Sequence, residues 1–115
     1  MSIANAVKDA SLAPFAGRTL MVGLIDGEQE IEANGYERQP VQFSEPRDEG
    51  DVRFVESVNE SLFDLGEEAS HHLDRFAVFD EAGEFMADFA LLEARDFPPG
   101  DRAFFRAGSL RIGMP

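Results

Sequence analysis

The stretch HLDRFAVFDEAGEFMADFALL, residues 72–92, determines how the rest of the chain is interpreted. Its two apolar halves, 72–80 and 84–92, are joined by the turn residues Glu-Ala-Gly. In the second half, apolar residues recur at every second position, which places them on one face of a strand. A connection of three residues containing glycine is typical of a β-hairpin. The stretch therefore predicts two antiparallel strands.

Outward from this hairpin, the same short-strand pattern continues in both directions. Turn signals separate the segments, and six or seven strands at this spacing are typical of an antiparallel sandwich or barrel. We predict a mainly β fold, an antiparallel β-sandwich of about six to seven strands with a short N-terminal α-helix. The further predicted strands are residues 18–25, 35–44, 51–57, 61–65 and 102–114. The predicted core residues are Phe76, Phe79, Phe85, Phe89, Phe105, Leu110 and Ile112.

The N-terminal segment, residues 2–12, has helical rather than strand periodicity. Ser2 is a favourable N-cap, and Pro14 ends the helix. So short a helix is marginal in water, so its apolar residues Ile3, Val7 and Leu12 require a surface to dock on. We therefore divide the chain into a helical docking arm, 1–16, and a single β-sandwich domain, 17–115. The arm is expected to dock on its own domain or on a neighbouring copy.

Composition excludes several classes of protein. The chain has 115 residues and a net charge of −13, from 23 acidic and 10 basic residues. Nucleic-acid binding depends on basic residues that contact phosphates, so we expect no nucleic-acid partner. Apolar runs are far shorter than the roughly 20 residues of a membrane helix, and no signal-peptide pattern is present. We expect no membrane partner, and synthesis in a cytoplasm.

Residues that could carry chemistry do not form a recognisable constellation. Cysteine is absent, and no serine lies in a nucleophile-elbow motif. His71 and His72 are adjacent and would point to opposite faces of a strand, which disfavours a shared metal. Asp48, Glu49 and Asp51 could hold calcium, but without the EF-hand pattern. We therefore expect no enzymatic activity, no catalytic residues, no cofactor and no metal site.

The segment NGYERQPVQF, residues 34–43, combines strand alternation with residues that strands disfavour. Val41 and Phe43 can reach the core, whereas Pro40 cannot donate to a ladder, so this strand is expected to be an edge or to carry a bulge. An edge with proline resists uncontrolled pairing. We identify Tyr36, Arg38 and Gln39 as interface candidates; alternatively, Arg38 and Gln39 satisfy local backbone and carboxylate groups.

Several pieces of the chain recur in a recognisable order. They are TLMVGLIDGEQEIEANGYERQPVQF, DVRF, LDRFAVFDEAGEFMADFAL and PPGDRAFFRAGSLRIGM. In this order they resemble a family of small tailed-bacteriophage structural proteins of the tail-fibre-like or head-decoration-like type. The sequence departs from the pattern at Pro40, where a small residue is usual, in its shorter turns and in its higher acidity. The residues that carry the resemblance best are Gly35, Tyr36, Arg38, Gln39, Val41 and Phe43, then Gly100, Asp101, Phe105, Ala107, Gly108, Leu110 and Ile112.

The resemblance implies a non-enzymatic component of the virion. We favour a capsid decoration (cement) protein, because a fibre usually needs repeats or coiled-coil heptads, and the sequence has neither. The alternatives are a tail-fibre-base or tail-tip component and, less favoured, a carbohydrate-binding module. The implied partners are other copies of the chain and the major capsid protein, or alternatively tail proteins. The arginines expected to face acidic residues of neighbours are Arg38, Arg53, Arg75 and Arg106.

Overall fold

A computed structural model describes residues 3–114, with side chains described for residues 8–113. Ser2, the predicted N-cap, lies outside the described residues. One helix and ten strands follow one another along this part of the chain. They are α1 (Ile3–Leu12), β1 (Thr19–Asp26), β2 (Gln29–Glu30), β3 (Gln39–Gln42), β4 (Arg47–Glu49), β5 (Val52–Glu56), β6 (Ser61–Asp64), β7 (His71–Phe79), β8 (Phe85–Phe97), β9 (Arg102–Phe105) and β10 (Arg111–Met114).

All strand pairs are antiparallel, and the mainly β prediction is confirmed. One sheet has the order β2-β1-β7-β8, with β3 also paired to β1. The other two sheets are β10-β5-β4 and β6-β9. Residues of all three sheets meet in one apolar core, as in a sandwich. The sequence pattern missed the short strands β2 and β4, and it merged β9 and β10 into one segment.

The hairpin β7–β8 is present as predicted, and Asp80 organises its turn. The Asp80 carboxylate accepts hydrogen bonds of 2.9 Å from the backbone N–H groups of Ala82 and Glu84. Gly83 has a φ of 85°, a conformation that residues with a Cβ adopt rarely. After this turn, β8 runs for 13 residues.

Five of the seven predicted core residues are buried, and Phe85 was predicted wrongly. The Phe85 side chain is 59% exposed, and Phe89 is partly buried against the core. The register of β7 and β8 shifts at Phe79, because Met86 is an extra residue in β8. This bulge pairs Phe85 with Phe79, on the face of the sheet that is turned away from the main core. The buried five are Phe76, Phe79, Phe105, Leu110 and Ile112.

The predicted edge strand 35–44 is shorter in the structure, where β3 covers Gln39–Gln42. Val41 and Phe43 are fully buried, so the apolar end reaches the core as predicted. Within the described residues β3 pairs only with β1, which is consistent with the edge position expected from Pro40. Residues 35–38 lie outside any strand.

Candidate interaction surface

Tyr36, one of the predicted interface residues, closes a gap in the sheet of its own chain. β2 and β3 both pair with the same edge of β1 and leave the Leu24 N–H between them without a strand partner. The Tyr36 hydroxyl accepts that N–H at 2.9 Å and donates to the Glu30 carboxylate at 2.8 Å. Burial, more than any other effect, raises the pKa of Tyr36 above its usual value, so the hydroxyl keeps its proton.

Arg38 completes this cluster from the other side of Glu30. Its guanidinium donates to both oxygens of the Glu30 carboxylate at 2.9 to 3.3 Å and lies 3.5 Å over the Phe79 ring. Gly23 lies beneath the carboxylate, and a Cβ at that position would collide with it. The Gln39 amide donates to the backbone carbonyl of Glu37 at 3.3 Å.

These contacts correspond to the alternative in which the polar residues of the segment 34–43 satisfy local groups. The structure brings Tyr36 and Arg38 together and commits both to intramolecular contacts. A role of Tyr36, Arg38 or Gln39 in an interface stays a prediction.

Replacing Tyr36 by phenylalanine is expected to lower the free energy of unfolding by about 1–3 kcal/mol. The change leaves the Leu24 N–H without its partner and removes one of the hydrogen bonds to Glu30, whose oxygens still accept from Arg38. The ring can still stack on Phe63 at 6.4 Å between centroids. Urea unfolding monitored by circular dichroism measures the loss. An unchanged unfolding midpoint would show that water replaces the hydroxyl at no cost.

The helix contributes one further predicted interface residue whose side chain is described. Leu12 is 0% exposed and belongs to the main core, together with Phe15 just after the helix. Leu12 therefore anchors α1 to its own domain and does not present a free surface, which corrects its place among the interface candidates. Ile3 and Val7 lie in α1, but their side chains are outside the described residues.

Most arginines of this acidic chain have a carboxylate partner within the same chain. Six of the nine form ion pairs, so three of the four expected to face acids of neighbours, Arg38, Arg53 and Arg75, instead face their own chain. Arg106 has no such pair among the described residues. The pairs are Arg18–Glu81, Arg38–Glu30, Arg47–Glu56, Arg53–Asp9, Arg53–Asp48, Arg75–Asp88, Arg111–Glu49 and Arg111–Glu56.

The other three arginines, Arg95, Arg102 and Arg106, line one surface hollow of about 440 Å³. Arg102, Phe104 and Arg106 alternate with buried residues along and just after β9, so all three point outward. Leu62 of β6 lies directly opposite Phe104, and the two side chains are 46% and 41% exposed. We call Leu62, Arg95, Arg102, Phe104 and Arg106 the arginine face.

Contacts within the fold hold the arginine face in place. Arg95 donates to the Phe104 carbonyl at 3.2 Å and covers the Phe105 ring at 5.6 Å. Beyond Arg106 the chain is tied to buried Ser57, whose hydroxyl accepts the N–H groups of Gly108 and Leu110 at 3.2 Å each. These contacts fix Arg95 and the chain beyond Arg106, beside two exposed apolar side chains and the exposed Arg102 and Arg106.

Acidic residues border the arginine face on one side. Arg102 also lines a neighbouring hollow of about 320 Å³, together with Asp64, Glu67 and Glu68. None of these carboxylates is within ion-pair distance of Arg102 among the described residues. Of this face, only Arg106 was named from the sequence. The alternation Arg-Ala-Phe-Phe-Arg over 102–106 could also have identified Arg102 and Phe104, but not Leu62 or Arg95.

The two histidines bind different carboxylates. His71 Nδ1 lies 2.9 Å from Asp26, and His72 Nδ1 lies 2.6 Å from Asp96. Within residues 3–114 no group of three or more histidine and acidic residues is arranged to hold a metal ion. Of the calcium candidates, Asp48 pairs with an arginine of β5 and Glu49 with one of β10.

The hydrogen bond and charge of Asp96 raise the pKa of His72 above its usual value of about 6.5. The His72–Asp96 pair therefore stabilises the folded state fully at pH values at which His72 is protonated in both the folded and the unfolded protein. That contribution is lost as the pH rises through the raised pKa of the folded protein. An NMR titration is expected to give a lower pKa for His72 in Asp96→Asn than in the parent chain. Equal values in both chains would contradict the pairing.

Comparison with models of known protein families, with curated proteins and with solved structures finds no match. The resemblance to phage structural proteins accordingly stays a prediction. Among the described residues, no helix has the length and apolar character to cross a membrane.

Proposed function

We propose that this chain is a non-enzymatic structural protein of a tailed-phage particle and that it decorates the capsid. The observation that carries this proposal is the arginine face. It combines exposed aromatic and aliphatic side chains with arginines that have no ion-pair partner among the described residues. Aromatic residues and arginine are enriched at protein–protein interfaces and dominate their binding energy. Such a surface suits a protein that works by assembly.

A protein partner suits this surface better than a polyanion does. The net charge of −13 opposes the long-range approach of nucleic acid, and three arginines supply few phosphate contacts. A glycan platform is also disfavoured. The chain has no tryptophan, and its one tyrosine, Tyr36, donates and accepts hydrogen bonds within its own sheet.

The shape of the described chain favours the capsid over a fibre. The strands form one sandwich with overall dimensions of 50 × 29 × 24 Å, and the ten-residue helix is fixed to it through Leu12. A coiled-coil stalk needs several heptads, far more than this helix supplies. The sequence motifs that resemble phage proteins add to this argument.

Fractionation of purified phage particles into heads and tails tests the proposal. We expect this chain on heads, at a copy number comparable with that of the major capsid protein. A few copies on tails would identify a tail component, and absence from both fractions would overturn the proposal. Particles assembled with Phe104→Ala are expected to carry fewer copies than particles with Val58→Ala, which truncates an equally exposed apolar side chain outside the arginine face.

A further inference from the structure

We propose that the arginine face binds the end of the β7–β8 hairpin of a second copy of this chain. The ligand class is a carboxylate next to an aromatic ring, supplied by Glu84 and Phe85. The inference rests on the proposed function in one respect, that identical copies meet on the particle. The purified chain alone can test it.

Charge defines the chemistry of the ligand. Arg95, Arg102 and Arg106 present guanidinium groups in one hollow, whereas the other six arginines are paired with carboxylates of their own chain. Guanidinium groups bind carboxylates through paired, charge-assisted hydrogen bonds. Acids outnumber bases by 13, so every copy carries carboxylates that can occupy the hollow of another.

The hairpin end is the segment whose chemistry matches the whole face. Phe85 is the most exposed phenylalanine among the described residues, at 59%. Beside it, Glu84 is exposed and has no ion-pair partner among those residues, whereas Glu81 is paired with Arg18. Phe85 would lie against the Leu62–Phe104 pair, and Glu84 among the arginines. The acidic hollow beside Arg102 carries carboxylates but no exposed aromatic ring.

The turn at Asp80 makes the hairpin end a preorganised ligand. Its carboxylate fixes the N–H groups of Ala82 and Glu84, and the bulge at Met86 turns the Phe85 ring outward. A segment that is ordered before binding loses less conformational entropy on association.

The contact joins two different surfaces of the chain. Phe85 and Arg95 pair with Phe79 and Leu73 of β7, six residues apart, so they are separated by roughly 20 Å along the strand. A surface at one end of β8 thus meets a different surface near its other end. Two copies in opposite orientations can form this contact twice, as a two-fold dimer, and other orientations give closed rings or open chains.

Sedimentation velocity of the purified chain over a concentration series measures the association. We expect the parent chain to form dimers or larger species as its concentration rises. Arg106→Glu is expected to weaken association roughly ten- to a hundredfold, because it places a carboxylate against Glu84. The matched control is Arg47→Glu, which makes the same change of net charge at an exposed position on β4.

Charge reversal identifies the partner segment. Glu84→Arg reduces the overall repulsion between copies and yet is expected to weaken association, because it places an arginine among arginines. The double variant Arg106→Glu, Glu84→Arg keeps the net charge of the parent and is expected to regain association. The control pair Arg106→Glu, Glu67→Arg has the same net charge and is expected to stay weak.

Four results would overturn the inference. They are a parent chain that stays monomeric, equal weakening by Arg47→Glu, recovery with Glu67→Arg instead of Glu84→Arg, and binding of a short DNA oligonucleotide that Arg106→Glu abolishes. Far-UV circular dichroism confirms that each variant is folded before it is compared. If the chain is found on heads but does not self-associate, this inference fails and the proposed function stands. If the chain self-associates but is not incorporated into particles, the proposed function fails and this inference stands.

Discussion

Replacing Phe76 by alanine is expected to lower the free energy of unfolding by about 3–5 kcal/mol. The ring is 0% exposed in the main core and contacts the Phe89 ring, with 5.8 Å between centroids. Its removal costs the transfer free energy of the ring and leaves a cavity. The cavity cannot close easily, because β7 is held between β1 and β8 in the sheet. Because a small domain has about 5–15 kcal/mol of stability in total, the variant is expected to be only marginally folded.

The matched control for this change is Phe85→Ala. Both residues lie in the β7–β8 hairpin and both were predicted from sequence to be core, but Phe85 is 59% exposed. We expect Phe85→Ala to change the free energy of unfolding by less than about 1 kcal/mol, as surface changes usually do. Urea unfolding of both variants, with the slope m compared to detect altered denatured states, makes the measurement. Equal losses would mean that the register assigned to β8 is wrong.

The same control connects stability to assembly. Phe85→Ala is expected to change folding little, because the exposed ring meets the fold in an edge contact with Phe79. It is expected to weaken self-association, because the ring has a proposed role against Leu62 and Phe104. A residue that matters for association and not for folding is the expected signature of an interface.

The hairpin was predictable from sequence because its information is local. Two apolar stretches and a glycine-containing turn specify antiparallel pairing within about twenty residues. The bulge at Met86 was not predictable, since strand alternation assumes that every residue has one partner. The extra residue puts Phe85 on the opposite face of the sheet from Ala87, Phe89 and Leu91. Phe85 was therefore assigned to the wrong face, whereas the other three pack against the main core as the alternation predicts.

The Tyr36–Glu30–Arg38 cluster shows the opposite limit. Tyr36 and Arg38 stand out in the sequence, whereas Glu30 does not, because its strand of two residues is too short to leave a pattern. The contact also depends on Gly23, in a third segment, which lets the carboxylate approach β1. This non-local geometry explains why Tyr36 and Arg38, which look like interface residues in the sequence, make their contacts within their own chain.

The arginine face was partly visible in sequence. Alternation over 102–106 places two arginines and Phe104 on one side of a strand, whichever sheet the strand joins. What sequence could not show is that six other arginines find carboxylates within the chain. The ion pairs within the described part of the chain distinguish Arg95, Arg102 and Arg106 from arginines that balance a strongly acidic surface.

Replacing Leu12 by alanine is expected to lower the free energy of unfolding by about 2–5 kcal/mol. Leu12 is 0% exposed and is the last residue of α1, and its carbonyl accepts the N–H groups of Phe15 and Ala16 at 2.9 and 3.0 Å. The buried side chain thus anchors the helix, and the backbone carbonyl of the same residue holds the turn that leads into β1. A helix of ten residues does not persist in water without such an anchor.

The neighbouring change Ser11→Ala provides the control, because Ser11 is exposed in the same helix turn and alanine is the better helix former, by roughly 0.5 kcal/mol. We expect Ser11→Ala to be neutral or slightly stabilising, so that any loss in Leu12→Ala reports core packing and not helix propensity. Thermal unfolding of both variants gives the comparison.

If Leu12→Ala unfolds at the parent temperature but associates less, α1 must dock on a neighbouring copy, and the helix would be an assembly element. A large loss of stability in Leu12→Ala makes residues 1–16 part of the folding unit, because their anchor lies in the same core as Phe76.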